Sequence, residues 1–303
     1  MMRFVVLFAI VMMAVPVGAQ LRFDAKGKFK IVQFTDVHWR PGDANSEIAA
    51  ENIANALDAE RPDLVIITGD IIYGTPAKTC LDRTLKPIID RRLPFAITLG
   101  NHDAESDWTP KQILDYVRSL PGNLTSTVDG LSGTTNYTLT VKSANDASKD
   151  AAVLYVFDSH QYSQQKDLTD GYDWIKYDQI AWYRSESARH TTENGGTPLP
   201  SLAFMHIPLP EYADAAMLLG RDVMGVFAGH DHVNDYVCSW KGVALAYGRF
   251  SGGNTEYHDI PGDNGARVIV LTEGVRGFDT WLRLRIGNKV ATPVSFPADF
   301  TRK

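Results

Sequence analysis

Phe34-Thr35-Asp36-Val37-His38 decides the fold, because it places two polar side chains directly after a short apolar run that begins at residue 30. The run carries Ile and Val, the pattern of a strand buried inside a layered protein. Side chains two positions apart in extended chain point to the same side, so Asp36 and His38 can reach one point beyond the strand. The stretch therefore predicts a buried strand whose end carries a polar site.

Similar apolar runs recur along the chain and alternate with helical patterns. Residues 46–59 carry apolar side chains near helical spacing and predict the first crossover helix. Thr109-Pro110 has the form of a helix N-cap followed by proline at the first helical position, with the helix extending to about residue 119. Such alternation is typical of the α/β class. The further predicted buried strands are residues 64–68, 95–99, 153–157, 202–205 and 223–228.

The remaining segments are predicted to complete this sheet system rather than to build another domain. Residues 120–150 are rich in Gly, Ser, Thr and Asn around one predicted strand, so we interpret them as a surface elaboration. Residues 243–247, 266–271 and 280–286 alternate polar and apolar side chains, which favours an antiparallel finish. We therefore expect residues 20–303 to form a single domain with one large core.

The first 19 residues have the layout of a secretory signal peptide. A single basic residue, Arg3, precedes an apolar run over residues 4–15, and Val17-Gly18-Ala19 ends in the small residues expected before a cleavage point at Gln20. The run is short for a membrane span, and its lack of a polar face argues against the alternative, a buried N-terminal helix. We therefore expect residues 1–19 to be removed and the protein to be secreted or periplasmic, without stable membrane insertion.

The charge balance excludes some partners. The whole chain has a net charge of −6; without residues 1–19, which hold one base and no acid, 29 basic residues face 36 acidic ones, a net charge of −7. A surface of that sign disfavours nucleic acid or an anionic membrane as the main partner. A phosphate-bearing ligand would then need strong local positive charge, which metal ions can supply.

Candidate metal ligands follow four more of the predicted strands. Their motifs are Gly69-Asp70, Gly100-Asn101-His102-Asp103, the lone His206 and Gly229-His230-Asp231-His232. Open α/β sheets place their ligand sites at the carboxyl ends of strands. Taken singly, a buried histidine is more often a core residue, and Asn or Asp after a strand more often forms a turn; seven donors in this order jointly predict metal binding. They are Asp36, His38, Asp70, Asn101, His206, His230 and His232.

Several other polar residues do not follow this pattern. Arg249 is interpreted as a surface cation rather than as a phosphate contact. Cys80 and Cys238 could pair in an oxidising compartment or remain two separate thiols, and the sequence leaves both alternatives open. The histidines outside the motifs are interpreted as structural or surface residues: His160, His190 and His258.

The five motifs, in this order, resemble those of the calcineurin-like metallophosphoesterase superfamily over residues 34–232. The resemblance implies a four-layer α/β/β/α sandwich of two mixed sheets flanked by helices. It also implies a dinuclear centre of two transition-metal ions, Fe, Mn or Zn, with Asp70 between them. By the same resemblance, the ligands divide into Asp36, His38, Asp70 and His232 for one ion, and Asp70, Asn101, His206 and His230 for the other.

Within the superfamily, Gly69-Asp70-Ile71-Ile72-Tyr73 is similar to the purple acid phosphatase-related branch, which has a tyrosine three residues after the bridging aspartate. A run that begins at His206 also resembles this branch. The chain departs from the purple pattern because its first motif supplies His38 as well. Tyr73 is therefore open to three roles: a metal ligand, packing beside the site, or a hydrogen bond to His102.

The activity that the resemblance implies is hydrolysis of a phosphate ester by attack of a metal-bound hydroxide. We expect a small phosphomonoester as substrate. A phosphodiester of the nucleotide or lipid-head-group type is the alternative, and a non-catalytic metal-binding module is the alternative from another class. His102 follows Asn101 but is left over from the ligand set, so we predict that it stabilises the phosphate charge and protonates the leaving group. Asp103 is predicted to orient that imidazole or to raise its pKa.

Overall fold

The computed structural model describes residues 20–166, 171–208, 222–240, 242–253, 264–291 and 296–297. The predicted signal peptide, residues 1–19, and His258 lie outside these ranges. In the described part of the chain, no helix is both long and apolar enough to cross a membrane.

The elements follow in the order β1 (Lys28–Phe34), α1 (Ala44–Glu60), β2 (Leu64–Thr68), α2 (Ala77–Asp90), β3 (Phe95–Thr98), α3 (Pro110–Arg118), β4 (Tyr137–Lys142), β5 (Asp150–Val156), α4 (Tyr177–Glu193), β6 (Ser201–Phe204), β7 (Val223–Ala228), β8 (Val237–Trp240), β9 (Val243–Tyr247), β10 (Gly265–Thr272), β11 (Gly277–Leu284), β12 (Lys289–Ala291) and β13 (Phe296–Pro297).

The first sheet combines strands from both ends of the chain. β1, β2 and β3 run parallel, as crossover helices between buried strands require. β10 runs antiparallel to β1, and β11 antiparallel to β10. The strand order is β12-β11-β10-β1-β2-β3, with β13 against β11. The antiparallel finish predicted for residues 266–271 and 280–286 is therefore confirmed.

The second sheet has the order β4-β5-β6-β7-β9-β8, with β5, β6, β7 and β9 parallel and the two edge strands antiparallel. The antiparallel prediction for residues 243–247 holds on one side of β9, which runs antiparallel to β8, and fails on the other, where β9 runs parallel to β7. All five residues of β9 are buried, which suits a strand covered on both faces. The predicted surface elaboration, residues 120–150, contributes β4 to this sheet, with Tyr137 and Val141 buried.

Four layers result from three apolar interfaces. Helices α1, α2 and α3 cover the outer face of the first sheet, where Ile53, Leu81 and Ile113 pack against strand residues such as Val65. The two sheets face each other through side chains of β1, β2, β6 and β7, among them Phe204. Helix α4 covers the outer face of the second sheet. The four-layer α/β/β/α sandwich that the resemblance implied is confirmed.

The predicted element bounds agree with the structure to within a few residues. β2 and β7 occupy the predicted residues, because each is an uninterrupted apolar run whose residues are all buried. α3 begins at Pro110 after a capping box, in which the Thr109 hydroxyl accepts from Gln112 N–H and the Gln112 carboxamide accepts from Thr109 N–H. α1 begins two residues before the prediction, because Asp43 caps it.

The two cysteines are free thiols, which settles the alternative that the sequence left open. Cys80 is buried on α2 outside the first sheet, whereas Cys238 is exposed on β8 at the edge of the second. Burial raises the pKa of the Cys80 thiol to about 11. Cys80 is therefore a core side chain and a poor nucleophile at neutral pH.

Candidate metal centre

The carboxyl ends of strands from both sheets meet at one edge of the sandwich. The loop after β1 is hydrogen-bonded to the loop after β2, with Asp36 N–H donating to Gly69 C=O at 3.1 Å and His38 N–H to Asp70 C=O at 3.0 Å. In the second sheet, Gly229 N–H donates to His206 C=O at 3.0 Å. These backbone hydrogen bonds thus fix the positions of the ligand-bearing loops within each sheet.

Four of the seven predicted ligands have a left-handed backbone conformation. The φ angles are 53° at Asp36, 50° at His38, 51° at Asp70 and 74° at His230. Such angles are uncommon for residues other than glycine and cost of order 1–3 kcal/mol each. They persist where the surrounding structure enforces them, and such residues cluster at functional sites. The strained backbone therefore marks the same positions that the sequence motifs predict.

Asp36, His38 and His232 form the first group of donors. Their ligand atoms lie within 4.8 Å of one another, and all three residues are buried. His232 Nε2 is 3.2 Å from Asp36 Oδ1. The Asp36 carboxylate also accepts from the Thr35 hydroxyl at 2.7 Å and from the backbone N–H of His230 at 3.0 Å. This group is therefore built from both sheets.

Asp70, His206 and His230 form the second group, again with ligand atoms within 4.8 Å of one another. His206 Nε2 is 3.1 Å from Asp70 Oδ2 and 3.2 Å from Asn101 Oδ1. Its other ring nitrogen, Nδ1, donates to the Thr68 carbonyl at 2.7 Å. A carbonyl at Nδ1 fixes the ring so that Nε2 faces the other donors, as in histidines that bind metals.

Asp70 lies between the two groups. Its Oδ2 atom is 3.3 Å from His38 Nε2 as well as 3.1 Å from His206 Nε2. The other oxygen, Oδ1, accepts from the backbone N–H of His102 at 2.8 Å. A third set of donors consists of His38, Asp70 and His102. It links the first two groups, because it shares His38 with the first and Asp70 with the second. The structure thus brings all seven predicted ligands together, with Asp70 at the position of a bridge.

The histidines and carboxylates of the centre shift one another's pKa values. Burial raises the pKa of Asp70, but His206 and His38 outweigh it and hold that pKa well below its ordinary value. Burial lowers the pKa of His206, but Asp70 outweighs it and raises the value to about 9. For Asp36, His232 overcomes burial and lowers the pKa to about 2. Burial, followed by the charge of His206, lowers the pKa of His230 to about 4. Both carboxylates are therefore ionised at neutral pH.

Two motif glycines are required because the carboxylates pass close to their backbone. A Cβ atom at Gly100 would lie 2.2 Å from Asp70 Oδ1. A Cβ atom at Gly229 would lie 1.9 Å from Thr35 Oγ1 and 2.9 Å from Asp36 Oδ2. No such contact is tolerated, so any side chain here would displace a ligand. The glycines of the motifs make room for the centre.

The chemistry of the donors fits two metal ions. Two carboxylates, one amide oxygen and four imidazoles are mixed oxygen and nitrogen ligands, which suit borderline ions such as Fe, Mn and Zn. Imidazoles bind metals as neutral groups, so the protein would contribute a charge of about −2 against +4 from two divalent ions. The structure places the predicted donors together, and their binding of metal and their division between two ions stay predictions.

His102 lies beside the ligands with its ring partly open to solvent. The exposed fraction of its side chain is 22%, and its ring centroid is 5.1 Å from that of His38. Its Nδ1 atom is 2.8 Å from Glu105 Oε2. A carboxylate at Nδ1 holds the ring in place and leaves Nε2 for another partner. Glu105, which the sequence did not single out, is thus the residue that orients His102.

The Asp103 carboxylate is directed to backbone N–H groups and not to the His102 ring, so the predicted orienting role is wrong. Its carboxylate accepts four backbone N–H groups: those of Asp70 and Gly100 at Oδ2, and those of Ile71 and Ile72 at Oδ1. Burial, followed by the charge of Asp70, raises the pKa of Asp103 to about 6. The side chain turns away because the chain enters a short 3₁₀ turn at Asp103–Glu105. Asp103 therefore ties the loop after β2 to the loop after β3 and has no place for substrate.

Other predicted residues take varied positions. The Tyr73 ring stacks on His38, with centroids 4.9 Å apart and planes at 10°, so the packing role is confirmed, while ligation by Tyr73 stays a prediction. The surface interpretation of Arg249 is wrong, because the residue is 5% exposed and ion-paired with Asp235 at 2.9 Å.

His160 and His190 lie outside the donor groups. They are structural: the first is 3.0 Å from Gln179 and the second is buried on α4.

Three residues that the sequence did not identify border the centre. Glu105 accepts from the Tyr162 hydroxyl at 2.8 Å, and that hydroxyl is 3.5 Å from Asn101 Nδ2. The Tyr172 ring lies edge-on to His230 with centroids 4.2 Å apart. Both tyrosines lie in the connection between β5 and α4, where no periodic pattern exists to indicate which side chains face the site.

A model of a protein family, described as calcineurin-like phosphoesterase, matches residues 29–234. "Probable inactive purple acid phosphatase 29" of Arabidopsis thaliana is 31% identical, over 89% of this chain and 86% of its own. Phosphatase DCR2 of Saccharomyces cerevisiae is 32% identical, over 89% of this chain and 56% of its own. These matches confirm the resemblance to the purple acid phosphatase-related branch.

Two solved structures have the same fold. A dimetal phosphatase from Danio rerio has a TM-score of 0.61 and 13% identity, and the match covers 87% of this chain and 99% of that one. GAP50, the anchor in the inner membrane complex of Plasmodium, has a TM-score of 0.50 and 14% identity, and the match covers 89% of this chain and 90% of that one. At these identities the likeness establishes the architecture alone.

Asp103→Asn should destabilise the protein rather than act on chemistry directly. The amide retains one accepting oxygen and turns an NH₂ group toward two backbone N–H donors, which should lower the free energy of unfolding by about 2–4 kcal/mol. Urea denaturation with a chelator present measures this without a contribution from bound metal. Asp115→Asn, in an exposed pair with Lys111, is the control and should change stability by less than about 0.5 kcal/mol. Unchanged stability with lost turnover would instead assign Asp103 to catalysis.

Proposed function

Because the chain belongs to the calcineurin-like phosphoesterase family, we propose that it hydrolyses phosphate esters, with small phosphomonoesters as the preferred class. One observation carries the proposal: Asp70 lies between two groups of donors, and His102 stands next to both. Two metal ions held there would lower the pKa of bound water and stabilise the attacking and leaving oxygens of an in-line displacement. No side chain is then needed as a nucleophile.

The protein's own residues supply the rest of the chemistry. Asp36 and Asp70 are ionised and fixed by hydrogen bonds, so they hold the charge of the centre in place. Glu105 holds His102 through Nδ1 at 2.8 Å, which leaves the other ring nitrogen, Nε2, for an ester at the centre. That nitrogen stabilises the phosphoryl oxygens and delivers a proton to the departing oxygen.

The charge balance favours an anionic phosphate ester. Ligands of charge about −2 with two divalent ions of total charge +4 would leave about +2, which suits a hydroxide nucleophile together with a negatively charged ester. The preference for monoesters is supported by relatives whose names are those of phosphatases. Since the whole chain has a net charge of −6, this local charge is what attracts the substrate.

A non-catalytic metal-binding module is the second candidate. This candidate is favoured by the names of three Arabidopsis thaliana relatives, each a "Probable inactive purple acid phosphatase". Against it, this chain holds the seven predicted donors and His102 in three overlapping groups, with Asn101 joined to them through His206. A protein that only binds metal has no need of an oriented, partly exposed histidine beside the ligands.

The first test combines metal analysis with an ester panel. We expect about two metal ions per chain and hydrolysis of phenyl phosphate at least about tenfold faster than that of diphenyl phosphate, measured as kcat/KM. Chelator-treated protein is the control and should be inactive until metal is restored. Metal-loaded protein that is inert toward the whole panel would favour the non-catalytic module, and a preference for the diester would favour the diesterase.

His102→Ala should separate catalysis from metal binding. Because His102 acts on the ester rather than as a necessary ligand, we expect kcat to fall by about 10²- to 10⁴-fold while the metal content stays near that of the wild type. His190→Ala, a buried histidine on α4 outside the donor groups, controls for the loss of an imidazole. Loss of metal along with activity in His102→Ala would make the residue a ligand.

We also propose that the protein is secreted or periplasmic, as residues 1–19 predict. Mass spectrometry of the exported protein should find Gln20 as the first residue, because small residues precede that position. Ala19→Arg is the matched control, since a large basic side chain before the cleavage point should leave the precursor uncut. Mature, soluble protein that retains residues 1–19 would contradict the proposal.

A further inference from the structure

Two tyrosines form a cross-strand pair in the connection between β5 and α4. Tyr162 and Tyr172 are partners in an isolated antiparallel bridge, flanked by hydrogen bonds from Ser163 N–H to Gly171 C=O and from Asp173 N–H to Gln161 C=O, both 2.9 Å. Their rings stack with centroids 5.4 Å apart and planes at 27°. The backbone thus holds two aromatic rings in register, so that they act as one surface.

This pair is open to solvent, unlike the aromatic residues of the core. The exposed fractions are 40% for Tyr162 and 42% for Tyr172, whereas Tyr155 on β5 and Tyr183 on α4 are buried. Neighbouring exposed aromatic rings are common at binding surfaces, because they offer a large apolar area with little side-chain entropy to lose. The pair therefore has the character of a recognition surface.

The pair also borders the candidate centre. Tyr172 contacts the predicted ligand His230 at 4.2 Å between ring centroids, at an interplanar angle of 81°. The Tyr162 hydroxyl donates to Glu105, the residue that orients His102. The two rings are therefore linked to the second donor group and to the predicted proton donor. A leaving group that takes its proton from His102 must lie on this side of the centre.

We propose that Tyr162 and Tyr172 form an aromatic platform that binds the planar aromatic leaving group of an aryl phosphomonoester. This inference rests on the proposed function and names the substrate class for it. An aryl group held against the rings gains the favourable geometry of aromatic pairs, about threefold to tenfold in affinity for one pair. An alkyl or polyol leaving group lacks that contribution, so the platform discriminates by ring stacking rather than by charge.

A neighbouring cleft offers the competing possibility. It has a volume of about 250 Å³ and lies beside Tyr162, lined mostly by polar residues such as His160, Gln161 and Gln164. Side chains of that kind suit a hydroxylated leaving group rather than an aromatic one. The aromatic platform and the polar cleft therefore predict opposite preferences between an aryl and a polyol ester.

The decisive measurement is binding without turnover. Phenylphosphonate and methylphosphonate carry the same charged head, so calorimetry on metal-loaded protein isolates the contribution of the aromatic ring. We expect the wild type to prefer phenylphosphonate, and Tyr172→Leu to reduce the ratio of the two affinities about threefold to tenfold while methylphosphonate binds as before. Tyr172→Phe should retain the preference because it keeps the ring.

Two further variants divide the roles within the pair. Tyr162→Phe keeps the ring but removes the hydroxyl that donates to Glu105, so it should retain the aryl preference. Tyr177→Leu, at the exposed start of α4 with 79% of the residue open to solvent, is the matched control for losing a surface tyrosine. Metal content measured for every variant shows that the centre is intact.

The outcomes separate this proposal from the one on which it rests. An unchanged affinity ratio in Tyr172→Leu overturns the platform while the phosphoesterase function stands. Equal loss of both phosphonates in that variant also overturns it, because Tyr172 would then act through His230 on the centre itself. Faster hydrolysis of glycerol phosphate than of phenyl phosphate points to the polar cleft and overturns the platform. Wild-type protein that binds neither phosphonate overturns the platform, and the ester panel decides the phosphoesterase function separately.

Discussion

The shared carboxylate of Asp70 is the interaction on which the rest of the centre depends. One oxygen faces His38 from the first sheet and His206 from the second, at 3.3 and 3.1 Å. A buried carboxylate is costly unless it is paired, so the two sheets must keep these histidines in place. The contacts that place Asp70 where it could bridge two cations thus also fix how the two sheets pack against each other.

The loops that carry Asp70 are stabilised by hydrogen bonds to the backbone, and the room for its side chain comes from glycine. Asp103 accepts the N–H groups of Asp70 and Gly100 through one oxygen and those of the next two residues, Ile71 and Ile72, through the other. This network offsets the strain of a left-handed Asp70 at φ 51°. The motif Gly-Asn-His-Asp therefore supplies space at the glycine, a predicted ligand at Asn101, the predicted proton donor at His102 and a clamp at Asp103. Asp103 is therefore a structural residue, although it is adjacent in sequence to His102, the predicted proton donor.

The α/β class and the place of the candidate ligands were predictable because both depend on short-range patterns, whereas the four layers were implied by the family resemblance. A continuous apolar run such as residues 64–68 is compatible only with a strand covered on both faces, and its carboxyl end defines where a ligand can lie. Roles that depend on the direction of a side chain were not predictable. Asp103 and Glu105 are two residues apart in a 3₁₀ turn, and only the structure reveals that Glu105 contacts His102. The pairing of Tyr162 with Tyr172 was hidden for another reason, since it joins two parts of one irregular connection.

The two donor groups differ in how aromatic rings cover their histidines. This difference makes one side of the centre more accessible to a substrate than the other. Flat contacts cover the first group: Tyr73 stacks on His38, and Phe250 stacks on His232 at 4.6 Å between centroids. Beside the second group, the Tyr172 ring is perpendicular to that of His230, which is less buried than His38. Under the proposed function, an ester therefore approaches past His230 and His102, the two histidines of the centre that are partly exposed. A phosphate bound from that side has His102 on its open flank, where a departing oxygen can reach solvent without crossing the sheets.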